Sequence, residues 1–167
     1  MIHVNGKTST STLTNVQPED IQPNAVDLRI RSVFKIKDQA FMLDIFNGKE
    51  TKQHRGVDEL QPVDGRWRLT PGVYEVVMDN NITMGPDEVG WVISRSTLNR
   101  NGVHLTSGLY DSGYSGLMAA AMHVEGGDFI IAKGVHIGQF LCFKAEALKM
   151  YNGSYGTGTE DDKKYGV

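Results

Sequence analysis

The sequence predicts an all-β domain, a sandwich or barrel. Three observations carry this. About ten short stretches of alternating or continuous apolar character follow one another along the chain. Turn residues, chiefly Gly, Asn, Asp and Pro, separate them. Only Ser96 to Asn101 reads as an internal helix, and it is short. Strands joined by tight turns, with no long 3.6-residue stripe, describe a sheet structure closed on itself or packed in two layers.

Residues 1 to 17 are polar and rich in Ser, Thr and Asn, and read as a loosely structured arm. Pro18 to Ile21 suits one helical turn, with Pro18 at its start, Glu19 and Asp20 favoured by the helix dipole, and Pro23 ending it. Val26 to Ile36 is a strand by alternation. Val26, Leu28, Ile30 and Ser32 point one way; Asp27, Arg29, Arg31 and Val33 point the other. Phe41 to Phe46 is a second strand, closed by the turn pair Asn47-Gly48. The polar stretch 47 to 65 reads as a loop with room for a short strand. Trp67 to Leu69 is extended, and Pro71-Gly72 turns the chain. Val73 to Met78 alternates, Asp79-Asn80-Asn81 reads as a turn, and Ile82 to Met84 is short and extended. Gly85-Pro86-Asp87 turns again before the apolar run Glu88 to Ser94.

After the short helix, Gly102 suits a C-terminal cap. Val103 to Thr106 is extended, and Leu117 to Val124 reads as a buried strand. Phe129 to Ala132 and Val135 to Lys144 complete the set. In the last, Val135, Ile137, Gln139, Leu141 and Phe143 share one side, with Gln139 as the odd polar member. From Tyr151 the chain is glycine-rich, polar and without period, so residues 1–150 read as one β domain and 151–167 as a flexible tail.

The 167 residues suit one domain with a full core. A net charge of -3 argues against a general nucleic-acid binder, though not against a nucleotide, which needs only local cations. The single cysteine, Cys142, excludes an internal disulfide framework and a multi-cysteine zinc site, and a reducing, cytoplasmic setting is the natural expectation. Met1 to Gly6 lacks the pattern of a signal peptide, and no apolar stretch is long enough to span a bilayer, so no membrane partner is expected.

The chemistry concentrates in Arg95 to Gly116, RSTLNRNGVHLTSGLYDSGYSG. Arg95, Ser96, Thr97 and Arg100 at a helix start can cradle phosphate oxygens, or Ser96 and its neighbours can simply cap the helix beside a solvated arginine. Asp111-Ser-Gly-Tyr-Ser-Gly116 is either an ordinary hairpin turn or a placed general base, Asp111, beside a flat ring, Tyr114. Asp27 is a structural carboxylate or a partner for a metal's waters. Gln139 is a satisfied core amide or a reach into a pocket. His104 and His123 lie in apolar strands without metal-ligand spacing. Tyr155 among glycines is a disordered residue or a ring that stacks on a ligand.

Together these blocks resemble the dUTPase and dCTP deaminase superfamily. IQPNAVDLRI (21–30), PGVYEVVMDNNITMGPDEVGWV (71–92), RSTLNRNG (95–102), GLYDSGYSG (108–116), KGVHIGQFLCF (133–143) and YNGSYG (151–156) occur in the family's order, and the likeness runs from residue 21 to about 156, leaving out 47–65. The resemblance implies a distorted jelly-roll, a homotrimer with sites at subunit interfaces, and a deoxynucleoside triphosphate bound with Mg²⁺. Deaminases of the family carry a catalytic Glu on the strand after the hairpin; here that position is Ala121.

The resemblance therefore implies a dUTP diphosphatase: dUTP and water give dUMP and diphosphate. Asp111 would activate the water, and Arg95, Ser96, Thr97, Arg100 and Gln139 would bind phosphates. Backbone near Leu109 would read uracil, Tyr114 would lie against the deoxyribose, and Tyr151 and Tyr155 would belong to the covering tail. Mg²⁺ would be held through water near Asp27. Gly113 and the RSTLNRNG spacing follow the deaminase branch, and Ser154 and Gly158 stand where deaminases often carry Lys and Gln. The alternatives are a dCTP deaminase, alone or bifunctional, and a non-catalytic deoxynucleotide-sensing module. Small enzymes of this type are common in viruses and phages.

Overall fold

The computed structural model describes residues 1–165. The fold is all-β, a distorted jelly-roll built on antiparallel pairs. The strands are β1 (Thr12–Leu13), β2 (Val26–Ile36), β3 (Met42–Phe46), β4 (Lys49–Gln53), β5 (Val57–Leu60), β6 (Arg66–Leu69), β7 (Gly72–Thr83), β8 (Glu88–Ser94), β9 (Val103–Thr106), β10 (Ser115–Val124), β11 (Phe129–Ala132) and β12 (His136–Lys144). The helices are α1 (Ser96–Asn99) and α2 (Glu160–Lys163), with a 3₁₀ turn at Pro18–Asp20.

The main sheet runs β8-β12-β2-β7-β10-β9, with β1 added to β7 and β5 to β2. β2 is the hinge of the architecture. Its first half pairs with β12 and its second half with β7 and β5. A bulge between Ile30 and Ser32 makes the change. It also turns Val33, expected on the polar side, into the core beside Ile30, while Ser32 is left half-buried. The core is filled by Leu28, Ile30, Val76, Met78, Ile82, Met118, Met122, Ile137 and Phe140. Burying one such large side chain stabilises the fold by roughly 1.5–3 kcal/mol.

Four expectations need correction. The N-terminal arm is ordered: Val4 and Leu13 are core residues, β1 pairs with Ile82 and Thr83, and the Ile2 amide donates to the Cys142 carbonyl. The turn expected at Asp79-Asn80-Asn81 is absent: β7 continues through it, with a register shift against β10 between Asn81 and Val77. Asn80 points inward and its amide donates to the Thr14 carbonyl at 2.7 Å, which lets a polar residue continue the strand. The stretch 47–65 is not a loop: Asn47 and Gly48 both take positive φ and close a tight β3–β4 hairpin, and β5 follows.

The fourth correction concerns β12. A register shift between His136 and Gly138 reverses its faces. Phe140 and Cys142 point into the core beside Ile137, whereas Gln139, Leu141 and Phe143 lie on the half-open side. No helix among the described residues is long and apolar enough to cross a membrane.

Candidate functional site

The hairpin between β9 and β10 is held from several sides. Tyr110 exchanges both backbone hydrogen bonds with Gly90, and the Tyr114 amide donates to the Asp111 carbonyl at 3.0 Å. Met84 donates to the Tyr114 carbonyl and accepts from Gly113. The Ser112 hydroxyl donates to the Glu88 carbonyl at 2.7 Å. Inside this frame Tyr110 and Tyr114 are buried, their rings edge-to-face at 5.4 Å. The Tyr114 hydroxyl donates to the Leu117 carbonyl at 2.8 Å. Burial pushes both phenols well above their ordinary range, so they stay neutral donors.

Beside the hairpin lies a cavity of about 480 Å³, a size that takes a nucleoside. Leu109, Tyr110 and Tyr114 form one wall, and Ala119 and Ala121 of β10 lie along its floor. Tyr151 and Tyr155 of the tail form another wall, and Phe41, His54 and Arg55 close the far side. The tail is fastened by hydrogen bonds, the Tyr151 amide donating to the Ser112 carbonyl and the Thr157 amide to the Ser115 carbonyl. Gly156 permits this approach: its φ is +126°, and a Cβ there would stand 2.7 Å from the Ser115 carbonyl. Of the tail expected over 151–167, Gly166 and Val167 lie outside the described residues.

Ala121 faces Thr106 on one neighbouring strand and Glu75 on the other. At position 121 the cavity wall is therefore a methyl group. The cavity's carboxylates are Glu75 and Asp162. Glu75 accepts from Lys164 at 3.1 Å and from the Tyr165 hydroxyl. Asp162 is buried and accepts from the Gly156 amide at 3.1 Å; burial pushes its pKa up.

A second cluster lies on β2 and β12 and at the start of α1. Asp27, 1% exposed, accepts from Gln139 at 2.9 Å and from Gln22 at 3.3 Å, and stands 3.4 Å from Arg95 Nε. Gln139 reaches Asp27 because β12 pairs with β2 there, residue against residue. Both Asp27 oxygens accept from protein amides, and Asp27 is the one carboxylate this cluster offers a metal, a donor set that suits an ion keeping most of its own waters. Among the described residues no group of three or more His, Cys, Asp or Glu is placed to hold a metal ion.

The structure thus sorts the residues singled out from sequence. Leu109, Tyr114, Tyr151 and Tyr155 meet in the cavity. Asp27, Arg95 and Gln139 meet in the second cluster, and none of them lines the cavity. Ser96, Thr97 and Arg100 are exposed on or beside the single turn of α1, and no side chain caps its start at Arg95. Asp111 is exposed at the hairpin tip, outside the cavity lining.

Sequence reasoning missed several groups. Lys52 of the β3–β4 hairpin donates at 2.6 Å to both Ser154 and Asp161, and its ammonium sits 4.6 Å above the Tyr155 ring. The tail position without a basic residue, Ser154, thus receives one from elsewhere. Asp20 is buried between Arg29 and His136, which donates at 2.6 Å. Glu88, fully buried, accepts from Ser9, the Thr10 amide, Ser11 and Lys144. Burial opposes its ionisation, but Lys144 and these donors outweigh it and hold the carboxyl far below the usual range. These pairs join residues far apart in the chain, and no local pattern marks them.

A family model described as dCTP deaminase-like matches residues 3–145. A deoxyuridine 5'-triphosphate nucleotidohydrolase of Methanocaldococcus jannaschii is 29% identical over 153 residues, 91% of this chain and 97% of that one. A probable enzyme of the same name from Methanococcoides burtonii is 30% identical over 138 residues, 81% of this chain and 80% of that one. Among solved structures, a 2'-deoxycytidine 5'-triphosphate deaminase from Agrobacterium tumefaciens superposes with a TM-score of 0.60 at 16% identity. That match covers 84% of this chain, which spans 44% of the deaminase's length, and at that identity it speaks to fold alone.

Proposed function

The chain belongs to the dCTP deaminase-like family, and from that premise we propose that it is a dUTP diphosphatase. The observation that carries the choice is Ala121. The floor of the cavity beside the hairpin presents a methyl group where deamination needs an acid. The relatives named deoxyuridine 5'-triphosphate nucleotidohydrolase support the same choice.

In this reading the base enters the cavity, backbone near Leu109 reads uracil, and the Tyr114 ring backs the deoxyribose. Asp111 takes a proton from a water while the water oxygen bonds in line to the α-phosphorus, and the bond from the α-phosphorus to the bridging oxygen breaks to release diphosphate. Arg95, Ser96, Thr97, Arg100 and Gln139 bind phosphate oxygens. Mg²⁺, when bound, would neutralise charge on the leaving diphosphate, with Asp27 touching it only through water. The Asp27–Arg95–Gln139 cluster does not line the cavity of its own chain. A homotrimer that sets the cluster of one copy against the cavity of the next would join the two halves.

The test is a panel of dUTP, dCTP, dTTP and UTP, read for diphosphate and for ammonia, with the wild type and Asp111→Asn. Diphosphate release from dUTP should dominate and fall about a hundredfold or more in the variant while nucleotide binding survives. A variant that keeps most of its turnover defeats the mechanism. One observation favours a second reading, deamination of dCTP: Glu75 faces the same cavity from across Ala121. Ammonia release from dCTP that vanishes in Glu75→Gln would establish it. Binding of dUTP without diphosphate or ammonia would point instead to a sensing module.

A further inference from the structure

The β3–β4 hairpin stands apart from the main sheet. Every β3 and β4 residue is exposed, and among the described residues the two strands pair only with each other. A two-stranded ribbon of this kind is marginally stable alone. Its tethers to the rest of the chain include the tail. Lys52 donates to Ser154 and Asp161, His54 Nε2 lies 3.5 Å from the other Asp161 oxygen, and the His54 ring meets Tyr155 edge-on at 6.5 Å.

Three groups that bind anions therefore converge at the cavity rim: an ammonium, an imidazole and a hydroxyl. Lys52 and His54 hold the chain's own anion, the carboxylate of Asp161 on α2, and the Ser154 hydroxyl sits beside it as the second acceptor of Lys52. A carboxylate and a phosphate offer such donors the same acceptor chemistry. The exchange is open to solvent, since the Lys52 side chain is 30% exposed and that of Asp161 17%. His54 and Tyr155 also line the cavity, so an anion on this rim is within the compass of a ligand whose base lies inside.

We propose that Lys52, His54 and Ser154 form an anion subsite that Asp161 fills from within the chain, and that a nucleotide's phosphate takes it over by displacing Asp161. Displacement frees one fastening of α2. Others stay in place: the Gly156–Asp162 bond, the contacts of Lys164 and Tyr165 with Glu75, and the Tyr165 ring packed edge-on against Phe34 at 5.6 Å. Binding of phosphate at the rim thereby loosens the segment that walls the cavity with Asp162. The choice of a nucleotide as ligand rests on the diphosphatase reading; the subsite itself does not.

The probe is inorganic diphosphate, titrated calorimetrically into the full chain at low salt. Asp161→Asn should tighten binding roughly fivefold or more by removing the internal competitor. Lys52→Met added to Asp161→Asn should abolish that gain, and Lys52→Arg should keep it. Hydrogen exchange of the α2 amides should quicken when diphosphate is added to the wild type. An affinity unmoved by Asp161→Asn, or a gain that persists without Lys52, overturns the subsite. Lys52-dependent diphosphate binding in a chain that does not hydrolyse dUTP would sink the diphosphatase reading and leave the subsite standing.

Discussion

Tyr114 is gripped at both ends. Its ring is packed edge-on against Tyr110 and Tyr151, and its hydroxyl donates to the Leu117 carbonyl. Tyr114→Phe removes the donor and leaves a buried acceptor without this partner, a loss of about 1–2 kcal/mol. The urea midpoint should fall accordingly, while the ring still backs the cavity. Asp27 makes a different prediction, because it orients rather than packs. Asp27→Ala leaves the Gln22 and Gln139 amides and Arg95 without their shared acceptor. On the diphosphatase reading, KM for dUTP should rise by about tenfold, with a smaller effect on kcat. An unchanged KM would remove this cluster from phosphate binding. At this scale the sequence was informative about residue types: Asp27, Arg95 and Gln139 were each singled out, and the fold places them together. It was silent on Lys52 and Asp161, which meet across 109 residues of chain.

Among the elements, the N-terminal arm depends on one buried carboxylate. Glu88 opens β8 and accepts bonds from Ser9, Thr10 and Ser11 as well as from Lys144. Its folded pKa is depressed, so the stability it contributes is present above the ordinary glutamate range, near pH 4.3, and is lost as pH falls below it. Asp20, held low by Arg29, the Gln17 amide and His136 against the cost of burial, acts in the same direction. Stability should therefore begin to drop below about pH 5 and keep falling as the pH is lowered toward the depressed folded values, and the drop should be smaller in Glu88→Gln. That variant should itself be about 3 kcal/mol less stable at neutral pH, because it removes the charge that Lys144 and the arm are arranged around. Equal acid sensitivity in the two proteins would disprove the assignment. The arm looked unstructured in sequence because its ordering comes from this partner, 77 residues away from Ser11, and not from its own pattern.

For the molecule as a whole, the Asp27–Arg95–Gln139 cluster does not line the cavity, and on the diphosphatase reading the two are halves of one site. If copies complete one another, two inactive variants should rescue each other. Mixed oligomers of Asp111→Asn with Arg95→Ala should recover part of the dUTP turnover that neither has alone, and activity should fall on dilution through the dissociation range. Unmixed behaviour at every ratio would mean that each chain works by itself.

By itself, the sequence determined what short-range physics determines. Alternation marked most strands, Asn-Gly marked the turn that closes β3 onto β4, and sequence blocks in the family's order, those around Arg95 and Asp111 among them, carried the resemblance. The tertiary structure decided which face of a strand is inside and which distant charges meet. Three register shifts, in β2, β10 and β12, each move side chains relative to their partners without leaving a period for the eye to follow. The ion pairs of Glu88, Asp20 and Lys52 form only once the sheet has closed and the tail has folded back. Their energy depends on burial and on partners far along the chain, and a linear pattern records neither.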